Sequence, residues 1–324
     1  MTRKAPNRLS PIVEHHLRTA TPGRRRSSLF ERVTSGLNEP AKLEVWAPLF
    51  GFQWAGTERK IGFDTKIVDG SRFSYYNAPA IARFLSQEER DECRETPHWL
   101  WFTQSAHSRL APGANANAFL LALWVARQTP TYMRVRFHHN DFGDHGAARV
   151  LDRFTWIGDH VSDSVQDDDL DYTARILPGI RACYLKTTRL RSALTLTARA
   201  CTARDWQVAF MSFTAAMTAL LRHAGRSPLT DKLARAYTHL VLRPSVKGAP
   251  SAAEFTRLHR IGTQLFVGRA YELRDSEENL ENLKAMADAC RLTWGRVLES
   301  ARLRNSLEGT DIDRARLFAS RTSS

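Results

Sequence analysis

The 324-residue chain predicts an α+β protein, a β-containing N-terminal domain followed by an all-α antiparallel helical bundle. Three observations carry this expectation. Short apolar and aromatic alternations broken by turn residues fill the chain from Leu43 to about Val161, which is the period-two texture of strands. From Tyr172 the spacing becomes helical: Trp206, Phe210, Phe213, Met217 and Leu220 fall at i, i+4, i+7, i+11 and i+14, one continuous apolar stripe. Between the two textures lies the acidic run Asp163-Ser-Val-Gln-Asp-Asp-Asp-Leu-Asp171, read as a solvated linker and a domain boundary. The length itself exceeds one ordinary domain, and 43% hydrophobic residues are enough to bury a core.

Taken in order, residues 1–40 mix Pro6, Pro11, Pro22 and Gly23 with Arg24-Arg25-Arg26 and read as a mobile basic arm. The β-containing domain is placed at 41–162, with strands at Leu43–Val45, Ile61–Phe63 and Tyr132–Phe137 and helical interruptions near 80–94 and 117–127. The linker is 163–171 and the bundle 172–305. Five helices are expected in the bundle. The first runs from about Gly179 to Ala200, and the second carries the Trp206 stripe. Ser227-Pro228 opens the third, toward Arg243. Ser251-Ala-Ala-Glu254 has capping-box spacing for the fourth, ending near Gly268. Leu283, Ala287, Cys290, Trp294 and Val297 repeat the stripe in the fifth. Residues 306–324 are left as a C-terminal tail.

Several function classes lose their support. The longest apolar run, Ala118 to Ala126, falls far short of the roughly 20 residues of a membrane span, and residues 1–26 lack a signal-peptide core, so no membrane partner and a cytoplasmic location are expected. Cys93, Cys183, Cys201 and Cys290 contain no Cys-x-x-Cys pair, which disfavours a zinc module or a disulfide scaffold. Neither Gly-x-Ser-x-Gly nor Gly-x-x-x-x-Gly-Lys occurs. No cofactor is expected.

The net charge of +13 is unevenly placed. Residues 172–324 hold 25 Lys/Arg against 13 acids and residues 1–28 hold seven against one, so the middle of the chain is net acidic. A basic half of this kind attracts polyanions. Arg175, Arg181, Arg189, Arg191, Arg199, Arg257, Arg260 and Arg269 are the candidate phosphate contacts. The bland alternative is compositional, since arginine outnumbers lysine 39 to 8 as in GC-rich coding.

Two clusters bear on chemistry. His138, His139, Asp141 and His145 offer metal-ligand types, but adjacent histidines on a strand point to opposite faces, and a polar turn is the commoner meaning. Arg235 and His239 stand at i, i+4 on an expected helix, hence on one face. A solvated basic face is again the commoner meaning. General acid–base work needs both groups within reach of one substrate.

The helical half resembles the HEPN superfamily, in particular the Apea-like prokaryotic proteins. The matching segments are Phe213-Thr-Ala-Ala-Met-Thr-Ala-Leu-Leu221, Leu229-Thr-Asp-Lys-Leu-Ala234 and Leu258-His-Arg-Ile-Gly-Thr-Gln-Leu-Phe-Val-Gly268, followed by an amphipathic helix. The resemblance implies metal-independent RNase chemistry from an Arg/His dyad. Aligned by residue, however, the family's aromatic falls on His259, its arginine on Gly262, its histidine on Val267, its glycine on Gly268 and its acid on Thr218. The dyad is missing. The expectation is therefore a non-catalytic protein binding nucleic acid, RNA rather than DNA. As the resemblance implies, it would serve as an accessory subunit in a prokaryotic defence or RNA-guided complex with protein partners. The alternatives are an endoribonuclease using a relocated site such as Arg235/His239 or a composite site, and a scaffold or inhibitor that pairs with an active HEPN protein.

Overall fold

The computed structural model describes residues 42–105, 108–141, 143–150, 164–186, 189–242, 248–268 and 277–319. The expected basic arm and Arg269 lie outside them. In the described residues the chain is α+β: an antiparallel six-stranded sheet in the N-terminal region precedes a helical region. The strands are β1 (Lys42–Pro48), β2 (Arg59–Lys60), β3 (Thr65–Asp69), β4 (His98–Ser105), β5 (Val135–Asn140) and β6 (His145–Arg149). Their order is β2-β3-β4-β1-β5-β6. The most N-terminal strand is thus central, with Val45 opposite Phe102 on one side and His138 on the other.

Alternation along the strands divides the sheet into two apolar faces. On one, Val68, Trp99, Val135 and Phe137 are buried beneath Phe73, Tyr76, Ile81, Leu85 and Cys93. These come from two 3-10 turns and the helices α1 (Pro79–Phe84) and α2 (Gln87–Glu95). The single helix expected near 80–94 is therefore two. Leu85 closes the first, and Ser86 caps the second through a reciprocal capping box with Glu89. On the other face Val45, Ala47, Ile67, Leu100 and Phe102 meet α3 (Pro112–Ala126). The Ile61–Phe63 strand is not formed. Ile61 and Gly62 both donate to the Thr65 carbonyl, closing a turn that leaves Phe63 fully exposed.

α3 is buried at every position from Ala118 to Val125, as a helix apolar all round must be. Its second side packs on α4 (Asp167–Lys186) and α9 (Glu277–Glu299). One hydrophobic core consequently runs from the sheet through α3 into the helices.

The helical region continues with α5 (Arg189–Thr202), α6 (Trp206–Leu221), α7 (Leu229–Tyr237), a π-helical turn (Thr238–Leu242) and α8 (Ala252–Phe266). α10 (Ala301–Glu308) and α11 (Asp311–Ala319) follow α9. Both predicted stripes are buried, Trp206 to Leu220 on α6 and Leu283 to Val297 on α9, and Ser251 accepts from Glu254 N at 3.1 Å as the capping spacing predicts. Three expectations change.

From Asp167 the acidic run is the first turn of α4, where carboxylates favour the positive end of the helix dipole. The helix expected from Gly179 to Ala200 is two helices, and Pro178 lies inside the first. A proline there costs roughly 3 kcal/mol. Burial of Leu170, Ile176, Leu177 and Ile180 offsets it. The expected tail over 306–324 holds the end of α10 and all of α11, anchored by the buried Arg314, which donates to the Arg222 and Leu307 carbonyls. All four cysteines are buried, and burial pushes the thiols of Cys93, Cys183 and Cys290 up to about 12, which leaves them protonated and unreactive at neutral pH.

α8 approaches α6 where Gly262 faces Thr214. A Cβ at residue 262 would fall 2.0 Å from the Thr214 hydroxyl oxygen. Gly262→Ala should therefore destabilise the protein by about 1–3 kcal/mol in urea unfolding, as overpacked cores do, and Thr214→Ala in the same chain should recover part of the loss. An unchanged midpoint would show that the helices are not in this contact.

Candidate nucleic-acid interface

The predicted phosphate-binding arginines divide by what they touch. Arg181 donates to Asp64 at 2.9 Å and to the Thr65 hydroxyl at 2.7 Å, tying α4 to the β3 end of the sheet. Arg189 donates to the Ala219 and Arg222 carbonyls at 2.6 and 2.7 Å, satisfying the C-terminal carbonyls of α6. Arg257 holds Asn282 at 2.7 Å. Arg175 lies over the Tyr172 ring and 4.0 Å from Glu299. Arg191, Arg199 and Arg260 remain: they are exposed, and their side chains form no hydrogen bond or ion pair among the described residues.

Arg191 and Arg199 share one helix face. Together with Thr195 they stand at i, i+4 and i+8 on α5, all three exposed, which spaces the two arginines by about 12 Å along the axis. The opposite face, Leu190, Ala193, Leu194, Thr197, Ala200 and Cys201, is buried. α5 contains no acid. The carboxylate nearest to it in the hydrogen-bond pattern, Glu308, is spent at its N-terminus, where it accepts from the Arg189 and Leu190 amides. Arg204, just beyond the helix, is also exposed. The sequence reading missed it because it follows the last helical residue. On α8, Arg257 and Arg260 are exposed beside Gln264.

Of the residues aligned with the HEPN motif, Thr218, His259 and Gly262 fall into the α6–α8 contact, but not as an open site. His259 is 3% exposed and sits between two hydroxyls, Thr218 Oγ1 at 3.1 Å from Nε2 and Thr230 Oγ1 at 3.2 Å from Nδ1. Burial lowers its pKa to about 4. It is a neutral core histidine. Gly262 has no room for an arginine against Thr214, whereas Val267 is 62% exposed.

Arg235 and His239 are not neighbours on one regular helix. Arg235 is an exposed residue of α7 that donates to the Asp231 carbonyl, while His239 belongs to the π-helical turn. His239 meets the Phe318 ring edge-on at 5.8 Å, and His223 meets the same ring at 5.0 Å. His223 Nδ1 lies 3.1 Å from the Leu221 carbonyl. A carbonyl only accepts, so Nδ1 carries the proton and Nε2 is the basic nitrogen. Burial, and behind it the charges of Lys232, Arg235 and Arg314, lower its pKa. No sequence pattern joined His223 to His239, because they lie on different elements and both meet Phe318 of α11.

The histidine-rich turn does not gather ligands. His138 lies on the α3 side of the sheet, where burial and then Arg136 lower its pKa to about 4. His139 and His145 pair across β5 and β6 on the other face and stack with each other at 4.6 Å and with Tyr75 at 4.9 and 4.2 Å. Asp141 accepts from the Lys42 amide. Among the described residues no three His, Cys, Asp or Glu side chains converge as metal ligands, and no helix is long and apolar enough to cross a membrane.

No protein-family model matches the chain, and comparison with curated proteins and with solved structures likewise finds no match.

The buried His259 makes stability pH-dependent. Its folded pKa of about 4 lies below the ordinary 6.5, so the unfolded chain takes up a proton that the folded chain refuses. The contribution of the neutral ring is complete above pH 6.5 and is lost as pH falls toward 4, a cost on the order of 3 kcal/mol. Urea unfolding across that range should show stability falling with pH, and His259→Gln should make the slope shallower by about one proton.

Proposed function

We propose that the protein is a sequence-independent binder of nucleic-acid phosphates and that the exposed face of α5 is its principal contact. The supporting observation is an acid-free helix that presents Arg191 and Arg199 exposed on one side, their side chains without a hydrogen bond or ion pair among the described residues. Guanidinium groups not engaged within the protein are the ones available to neutralise phosphates and release counterions. Thr195 between them and Arg204 beyond them extend the same surface. RNA as the preferred nucleic acid, and service as an accessory subunit of a prokaryotic defence or RNA-guided complex, rest on the resemblance to HEPN proteins alone.

A second reading has one observation behind it. His223 and His239 flank Phe318 with Arg235 near, and the basic nitrogen of His223 is defined by its backbone contact. Two histidines of this kind can serve as base and acid in metal-free phosphodiester cleavage.

One assay addresses both. Binding of a labelled single-stranded RNA should weaken with salt at a log-log slope of about −0.7 per phosphate neutralised, and Arg191→Gln with Arg199→Gln should lower the magnitude of that slope by about 1.4. Arg181→Gln, altering an internally paired arginine, should leave the slope unchanged. A salt-independent interaction would remove the phosphate reading. Cleavage of the RNA in EDTA, lost in His239→Ala, would move the assignment to a nuclease.

A further inference from the structure

The C-terminal helix α11 rests on the three residues that follow α6, and each holds it in a different way. The Arg222 carbonyl accepts from Arg314 Nε at 2.9 Å, and the Ala224 amide donates to the Asp311 carbonyl at 3.2 Å. Between them the His223 ring meets Phe318 at 5.0 Å, and His239 of the π-helical turn meets the same ring edge-on at 5.8 Å. A helix of nine residues is too short to persist alone in water. Its place therefore depends on these contacts, and His223 stands at their centre.

The seat is made for a neutral ring. His223 is 9% exposed, and with Nδ1 donating to the Leu221 carbonyl a second proton would have to enter at Nε2. The charges that act on the ring are all positive: Lys232 and Arg235 from α7 and Arg314 from α11. Arg189 of α5 comes to the same corner, at the Arg222 carbonyl. The carboxylates nearby are already engaged. Asp311 is held by Arg314 and Arg189, and Glu308 accepts from the Arg189 and Leu190 amides. Asp231, the acid of α7, is exposed to solvent.

A proton on His223 would thus add a cation to a buried corner that already has a surplus of them and no free anion. The attraction of a cation for an aromatic face does not reverse the balance, because burial and then the three cations hold the ring's pKa below 6.5. Once α11 has left, the ring is in water and takes the proton at its ordinary affinity. The sign follows from linkage: docking is complete above about pH 6.5 and weakens as pH falls.

We infer that α11 is an acid-released latch: protonation of His223 drives Phe318 from its place against the two histidines and frees the helix from the end of α6. The inference is independent of the phosphate contacts on α5 and of any catalytic use of His223 and His239.

Hydrogen exchange of the α11 amides in the full chain, corrected for the intrinsic effect of pH, tests it. Protection over residues 311–319 should fall at least about threefold between pH 7.5 and pH 5, with a ceiling of about thirtyfold for uptake of one proton by a group of ordinary pKa. His223→Asn, whose side-chain amide can replace Nδ1 in the bond to Leu221, should remove the dependence. That variant also loses the ring contact. Lys232→Gln with Arg235→Gln leaves the contacts of Phe318 in place and should reduce the fall in protection about twofold. The His223 ring should titrate below pH 6.5 in the unaltered chain and closer to it in Phe318→Ala. His259→Gln, which acts through global unfolding, should leave the exchange of α11 as it was. Protection of α11 that is constant from pH 7.5 to pH 5, a dependence that survives His223→Asn or is unaltered in the Lys232/Arg235 variant, or one that disappears in His259→Gln would overturn the proposal.

Discussion

The burial of α3 is the constraint on which the remaining structure depends. A helix with Phe119, Leu120, Leu121, Leu123 and Val125 on all its sides cannot leave any face in water. The sheet covers one side and α4 and α9 cover the rest. The stacked pair Trp124 and Phe213, 5.7 Å apart, carries the contact on to α6. Polar contacts follow the same junction. Gln128 bonds Asp288 at 3.1 Å, and Arg291 donates to the Val125 carbonyl at 3.3 Å, at the helix's C-terminal end. The sheet and the helices are thus two sides of one core, and a cleft at Trp54 forms where their chain segments meet.

The basic surplus of the helical half is partly structural. Arg189 and Arg314 both donate to the Arg222 carbonyl, where α6 ends and its carbonyl groups would otherwise lack partners. Burial lowers the pKa of both, that of Arg314 to about 10, and leaves them charged at neutral pH. Such arginines contribute to net charge and contribute little to a surface that greets a polyanion. A count of cations treats Arg189 and Arg191 alike, although they lie two residues apart and one is bonded within the protein while the other is exposed.

The α6–α8 contact shows how close packing narrows chemistry. Gly262 lets the helices approach until Thr214 fills the space a side chain would take. The same approach seals His259 between Thr218 and Thr230, with both ring nitrogens satisfied. A histidine so placed is held neutral and away from solvent. The polar potential that remains near this end of the molecule lies instead with His223 and His239, on either side of Phe318.

Local pattern in the amino-acid sequence determined much of the architecture. The Trp206 and Leu283 stripes, the Ser251 cap, the strand at Leu43–Val45 and the α+β division are legible because helix and strand periods are set by neighbouring side chains. The start of α4, its tolerance of Pro178 and the helical end of the chain were decided by burial against distant residues, which can outweigh a local breaker. The candidate sites divide in the same way. Arg191 and Arg199 could be named from sequence, but their availability, against the internal engagement of Arg181 and Arg189, required the positions of Asp64 and of two carbonyls far along the chain. The cleft lined by Trp54, His98 and Asp168 had no signature at all. Its residues come from three segments that only the packing of α3 between sheet and helices brings to one place, and spacing along a chain carries no record of distance across a core.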